Sequence, residues 1–412
     1  MIRIALLSLL FIAVSANAQK YKSFHENGNL FEKGKMKNNN RHGKWRAYHP
    51  NGELKYEGKY VNGAKTGTWT EWHRNGQIKE TGEYVYGKEE GYWVSYYDNG
   101  SIYFEGTYKD GNLDGEAKNY YKHGQVEKEA TYVLGKKEGI KTNYYENGQI
   151  EYQGNFTNGE ENGEFIYYHR NGVIDEKGHY SMGLQHGIWE YYYEDGTLEE
   201  KGMWTNDNQE GHWTYYDEDG NLEEEGDWKN GAHQGLWTKY YPNGKIKNQG
   251  ERLNTERHGE WKYYTEFGEL EKKGTFKNGK QHGTWEYYFP STGKLKEKGE
   301  WENDIQQGIW YYYDEFTGNL VEKGEWFNNE SHGLWVYYNS FTGKKEEEGY
   351  WKNDVQHGHW KYYFEDGVTV EEEGEWIDGK QNGEWRYYNR NGKLRKIGHW
   401  KDGEATGKWT NY

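Results

Sequence analysis

The 412-residue chain has no cysteine, three prolines and four methionines. Without cysteine there are no disulfides, thiolate metal sites, iron–sulfur clusters or cysteine nucleophiles. Hydrophobic residues supply only 33% of the chain and charged ones 29%, a balance that on its own reads as disordered. Cations are also in deficit: 52 Lys and Arg against 68 Asp and Glu leave a net charge of −16. That balance argues against nucleic acid, whose phosphates need clustered Lys and Arg, and against anionic membrane lipid. Beyond the N terminus no apolar run approaches the length of a membrane span.

What is abundant resolves the conflict. Aromatics reach 18%, with 21 Trp and 42 Tyr, and there are 57 Gly. Disordered chains are poor in aromatics. This composition describes a turn-rich β protein whose apolar burial rests mainly on Trp and Tyr.

Residues 1–18 read as an address. Arg3 precedes an apolar run at 4–14, and Ala16-Asn17-Ala18 is an A-x-A cleavage site. The run is too short to anchor in a bilayer, and no cysteine follows it for lipid attachment. The expectation is a Sec signal peptide, with residues 19–412 in the periplasm, at the cell surface or secreted.

One repeat dominates residues 19–412. A glycine, followed two residues later by Trp or a stand-in and three after that by an aromatic, recurs sixteen times from Gly43 to Gly407. The spacing is 24 residues through Gly283, then 25 to each of Gly308, Gly333, Gly358 and Gly383, then 24 again. The added residue falls at the turns of Gly293, Gly318 and Gly343 and, by the same alignment, inside the strand after Gly367. Fixed periods of this length mark a repeat array. In the unit from Gly187 to Gly211, strands are predicted at 189–193 and 198–204. The connections are Asn-Gly turns such as Asn27-Gly28, Asn51-Gly52, Asn147-Gly148 and Asn243-Gly244, where the dipeptide supplies positive φ. A second set is Asn62-Gly63 or Asn158-Gly159. The predicted fold is all-β: an elongated single-layer antiparallel meander of sixteen hairpins plus one closing strand, without a second domain.

Period-two alternation assigns the faces. In residues 53–60, Leu54, Tyr56, Gly58 and Tyr60 share one face, and Glu53, Lys55, Glu57 and Lys59 share the other. Trp189 and Tyr191 lie together, whereas Tyr192 has the opposite parity, so either a bulge rotates it or both faces are covered. Strand glycines such as Gly58 and Gly202 are expected to lie beneath a neighbouring indole, the arrangement called aromatic rescue.

The runs G-D-W-K-N-G-A-H-Q-G-L-W at 226–237 and G-T-F-K-N-G-K-Q-H-G-T-W at 274–285 resemble MORN repeats. With G-x-W-x-x-Y-Y-x-x-G-x-L following, the match is to the bacterial MORN-repeat variant, whose members are often catalogued as antitoxin-like. The resemblance covers residues 19–412. It implies an extended β-sheet used for protein binding, scaffolding or lipid contact. It departs at Ala117 and Lys141 (the Trp position), Ala130 (the strand Gly) and Arg252, which makes 115–145 the weakest stretch.

Candidates for chemistry are few. His42, His186, His258, His282, His332 and His357 each precede a repeat glycine. Neighbours two strands apart are about 10 Å from each other, too far to share a zinc ion, so they read as turn residues. Glu223-Glu224-Glu225 and Glu346-Glu347-Glu348 read as a solvated charge ladder rather than a glycosidase pair. Asp207, Asp304 and Asp354 lack a calcium-loop pattern. No nucleophile elbow, phosphate loop, zinc-protease or dinucleotide motif is present. No enzymatic activity, cofactor or metal is expected.

The aromatic ladder remains. Trp189, Trp213, Trp237, Trp261, Trp285, Trp310, Trp335 and Trp360 fall on one face, as core packing and as the base of a binding surface. The primary reading is an exported protein-binding scaffold. The alternatives are a glycan-binding envelope or secreted protein, and an antitoxin- or immunity-like neutraliser of a toxin. The last strand, near 408–412, leaves an edge open to end-to-end self-association. Expressed in an exporting bacterial host, the protein should carry Gln19 as its N terminus by mass spectrometry; retention of Met1 would refute the export signal.

Overall fold

The computed structural model describes residues 18–412, so the signal-peptide expectation lies outside the described residues apart from Ala18. These residues form 33 strands, the number that sixteen hairpins and one closing strand require, and no helix. The described residues divide into two compact units, residues 18–196 with 205–207, and residues 197–204 with 208–412. Within the first, consecutive strands pair antiparallel from Gln19–Phe24 on Leu30–Lys37 to Ile174–Ser181 on Leu184–Tyr192. Within the second they do so from Asn208–Tyr216 on Leu222–Lys229 to Leu394–Lys401 on Glu404–Asn411. Each unit is an open antiparallel meander of 24–25-residue hairpins.

The two connections have different chemistry. Asn62-Gly63, with φ of 49° and 87°, and Asn230-Gly231, with 51° and 73°, are two-residue turns with both residues left-handed. That is the type I′ geometry whose twist matches paired strands. Asn27-Gly28 is different, and the expectation of positive φ at both of its residues is corrected. Only Gly28 is left-handed, at 84°. Its N–H donates to His25 O at 2.9 Å and His25 N–H donates to Asn29 O at 2.8 Å, a type I turn closed by a glycine bulge. The asparagine is then free to brace the next repeat. Asn27 Nδ2 donates to Pro50 O at 3.0 Å, and Asn51 Nδ2 to Arg74 O at 3.0 Å.

The strands are longer than predicted because the repeat glycine is not a turn. The predicted strand at 189–193 is Leu184–Tyr192, and that at 198–204 is Leu198–Thr205. In the repeat that follows, Gly226 faces Trp237 but Asp227 faces Gln234, so Gly235 and Leu236 bulge out of the ladder. Gly235 takes φ of 70° to make that bulge, a conformation that strains any side chain. The added residue after Gly367 likewise lies in the connection, before Val370–Ile377, not inside the strand.

The bulge organises the core. Trp237 Nε1 donates to Asp227 O at 3.2 Å, and the ring lies flat on Gly226, where a Cβ would overlap the indole carbons. The same ten-residue link joins Trp213 to Met203 O, Trp285 to Thr275 O and Trp360 to Tyr350 O. Each buried indole removes about 150–250 Å² from water, worth roughly 4–6 kcal/mol. Gly226→Ala should therefore destabilise by about 3–5 kcal/mol, as much as losing the indole. Gly235→Ala should cost only about 1–2 kcal/mol. In chemical denaturation, Gly226→Ala should cost almost nothing further once Trp237 is Ala; additive losses would contradict the ring-on-glycine contact.

Candidate functional site

The eight predicted tryptophans are the core of this face. Trp189, Trp213, Trp285 and Trp360 are 0% exposed, Trp310 1%, Trp237 and Trp261 2%, and Trp335 4%. Their rings are joined through tyrosines on one side. Tyr263 lies 6.3 Å from both Trp261 and Trp285, and Tyr287 lies 6.1 Å from Trp285 and 6.2 Å from Trp310. On the other side Phe276 and Trp301 meet the same indoles edge-on. The indoles are thus the floor of the face. A partner would meet the residues flanking them.

Those residues form a lane that sequence reading missed. The residue two before each strand glycine shares the glycine's face, and in four consecutive repeats of the second unit it is a glutamate paired with a tyrosine on either side. Glu297 pairs with Tyr287 and Tyr312, Glu322 with Tyr312 and Tyr337, Glu347 with Tyr337 and Tyr362, and Glu372 with Tyr362 and Tyr387. All four glutamates are half-buried. Burial pushes each carboxyl above its ordinary value, and for Glu322 the charge of Glu347 adds to the rise. Trp326 Nε1 donates to Tyr312 Oη at 3.0 Å and Trp351 Nε1 to Tyr337 Oη at 3.1 Å, fixing the phenols. Parity was the available signal, since Glu347 stands two before Gly349.

The solvated-ladder expectation for Glu346-Glu347-Glu348 is corrected accordingly. Only Glu346 is exposed. Glu347 belongs to the lane. Glu348 lies on the opposite face, where Tyr363 Oη donates to it at 2.6 Å and Lys345 Nζ at 2.7 Å. Against the burial that would raise it, these two donors hold its carboxyl low. This also settles the tyrosine of opposite parity. A register shift separates Tyr362 from Tyr363, and the second phenol covers the other face, as Tyr240 does on Glu225 at 2.6 Å.

His42, His186, His258, His282, His332 and His357 lie within strands, not in turns, because the glycine they precede is a bulge; all are half-buried except His186, which is exposed. Among the described residues no group of three or more His, Asp or Glu is gathered for a metal ion. Asp304 and Asp354 sit in type I′ turns and accept from the Gln281 and Ser331 amides at 2.7 Å. Asp207 accepts from the Gln185 amide at 2.7 Å. At the irregular stretch, Ala117 faces Gly106 and Lys141 faces Ala130. Phe104 covers Gly106 in place of the missing indole. Beside it Trp93, Tyr84, Tyr108, Glu80 and Glu89 line a recess of about 300 Å³.

The family model for the MORN repeat variant matches residues 20–38, 41–62, 65–86, 89–110, 113–133, 137–158, 161–182, 185–206, 209–230, 234–254, 257–278, 356–376 and 381–402. The chain belongs to that family. No curated protein matches it. Among solved structures it is similar to the TcdB2-TccC3-Cdc42 crystal structure, at 12% identity and a TM-score of 0.16 over 93% of this chain and 22% of that one. It is also similar to TcdB2-TccC3, at 11% identity and a TM-score of 0.16 over 96% of this chain and 27% of that one. A third is the Photorhabdus luminescens Tc holotoxin pore, at 12% identity and a TM-score of 0.15 over 92% and 23%. The chain spans about a quarter of the length of these solved chains.

A carboxyl raised by folding stabilises the fold when protonated, and that contribution is lost as pH rises through the folded value. Glu322→Gln with Glu347→Gln should therefore raise the melting temperature by about 1–3 °C at pH 7.5, with no gain at pH 3.5, where both parent carboxyls are protonated. Thermal melts at the two pH values check this; an equal effect at both would exclude ionisation as its source.

Proposed function

We propose that this MORN-repeat-variant chain is an exported, non-enzymatic scaffold that binds another protein along its aromatic face. The observation that carries the reading is the lane itself. Glu297, Glu322, Glu347 and Glu372 lie half-buried between tyrosines, and none has an ion-pair partner among the described residues. Charge that is both desolvated and uncompensated favours a ligand that brings the opposite sign. The sites recur in register, so several weak contacts add through one ligand. A repeated surface of this kind suits a macromolecule better than a small substrate. Export rests on residues 1–18 alone. The buried indoles weaken the glycan alternative, which needs exposed ring faces for stacking.

The test is affinity capture from the envelope and secreted fractions of the native host, with the parent chain beside Glu322→Gln/Glu347→Gln/Glu372→Gln. Changing the tryptophans themselves would remove the core, so matched circular dichroism spectra are expected only for the glutamate variants. One stoichiometric protein, depleted by at least about fivefold with the variant, is the expected result. Retention on polysaccharide with no captured protein would replace this reading by glycan binding.

A further inference from the structure

Arg41 shows how this face takes a cation. Its guanidinium carbon lies 4.4 Å from the ring centre of Trp45. Nη2 donates to both carboxylate oxygens of Glu32, at 3.0 and 2.9 Å, and Nη1 to the phenol oxygens of Tyr56 and Tyr60, at 3.1 and 3.2 Å. Glu32 stands two residues before Gly34, in the lane, and is 5% exposed. Arg252 reaches the lane from another strand: Nη2 is 3.8 Å from Glu224 and the guanidinium is 5.4 Å from the Trp237 ring. Two independent positions thus place a guanidinium above an indole and against the lane carboxylate.

Four consecutive repeats keep the glutamate and the indole of that receptor, carry a tyrosine where Ala47 faces Glu32, and lack the cation. Glu297, Glu322, Glu347 and Glu372 hold the Glu32 position, next to Trp310, Trp335, Trp360 and Trp385. Where Arg41 stands four residues before Trp45, these repeats have Gln306, Ser331, Gln356 and Gln381. Among the described residues these carboxylates face tyrosines and have no ion-pair partner. Their spacing selects the shape of whatever supplies one. Successive sites are two strands apart, about 9.4–9.8 Å. A polyproline II helix returns to the same face every third residue, about 9.3 Å. An extended strand returns after about 6.6–6.8 Å, and two turns of an α-helix span about 10.8 Å. Only the polyproline period stays in step over four sites, with a drift that long flexible cationic side chains absorb.

The geometry points to a polyproline-type segment of the partner protein, carrying arginine or lysine at every third residue, lying across the strands with one cation at each of these four carboxylates. This rests on the protein-binding reading above and specifies that partner's chemistry. Arginine fits best, because both internal occupants are guanidinium groups and a planar fork can take both oxygens of one carboxylate.

The probe is a labelled peptide of four Pro-Pro-Arg triplets, titrated against the full chain by fluorescence anisotropy. Its control has the same composition with the four arginines contiguous. The triplet peptide should bind about tenfold tighter. Equal affinities would overturn the inference, since bare charge attraction is blind to spacing, and so would failure of the triplet peptide to bind. Ser331→Arg with Gln356→Arg should supply internal cations as Arg41 does and weaken binding by roughly tenfold, with an unreduced melting temperature as the folding control. Glu322→Gln with Glu347→Gln should weaken it similarly without adding bulk. Unchanged binding in both variants overturns the inference. A captured protein that saturating triplet peptide fails to displace would also overturn it, while leaving the wider protein-binding reading intact.

Discussion

The sheet depends on one contact, an indole lying flat on a glycine of the preceding strand. The glycine must lack a side chain because Trp237 occupies the volume where the Cβ of Gly226 would stand. A buried indole N–H without an acceptor is costly, and the bulge adjoining Trp237 offers the Asp227 carbonyl. Ring, glycine and bulge therefore come as a set, and the set recurs with the repeat. An open sheet without a second layer buries little by ordinary side chains. Here each hairpin covers its neighbour's backbone, and stability accumulates repeat by repeat.

The consequences for the two faces follow from parity. Fixing Trp and Gly on one face places the residue two before the glycine beside them, whatever its polarity. In Gly58's strand that residue is Tyr56, in Gly34's it is Glu32, and in Gly349's it is Glu347. A carboxylate set among rings loses hydration, which raises its cost when charged. Arg41 relieves that cost for Glu32. Among the described residues, the corresponding carboxylates of the C-terminal repeats have no such relief. The net charge of −16 is thus unevenly invested. Part of it is solvated, as at Glu346, part is matched by cations and phenols on the opposite face, as at Glu348, and part waits on the aromatic face.

The repeat, the strand count and the placement of tryptophan over glycine were legible in the sequence, because periodicity and alternation encode them directly. Turn chemistry was half legible. Asn62-Gly63 and Asn27-Gly28 look alike as dipeptides, yet a one-residue difference in loop length makes the first type I′ and turns the second's asparagine sideways to bind Pro50. Strand limits were misplaced because Gly235 looks like a turn residue and is a bulge, a distinction set by pairing across strands. The lane escaped notice because glutamate next to glutamate reads as solvent-facing charge. Only counting back from Gly349 separates Glu347 from its two neighbours.

The most direct measurement is solvent exchange of the indole Nε1 protons, followed by NMR on protein labelled at tryptophan. If the indoles are the hydrogen-bonded floor of the sheet, Trp237, Trp285 and Trp360 should exchange as slowly as the strand amides beside them. Exchange at the rate of free tryptophan would contradict this. It would mean that the rings stand exposed as a contact ladder and that the glycines beneath them serve some other purpose.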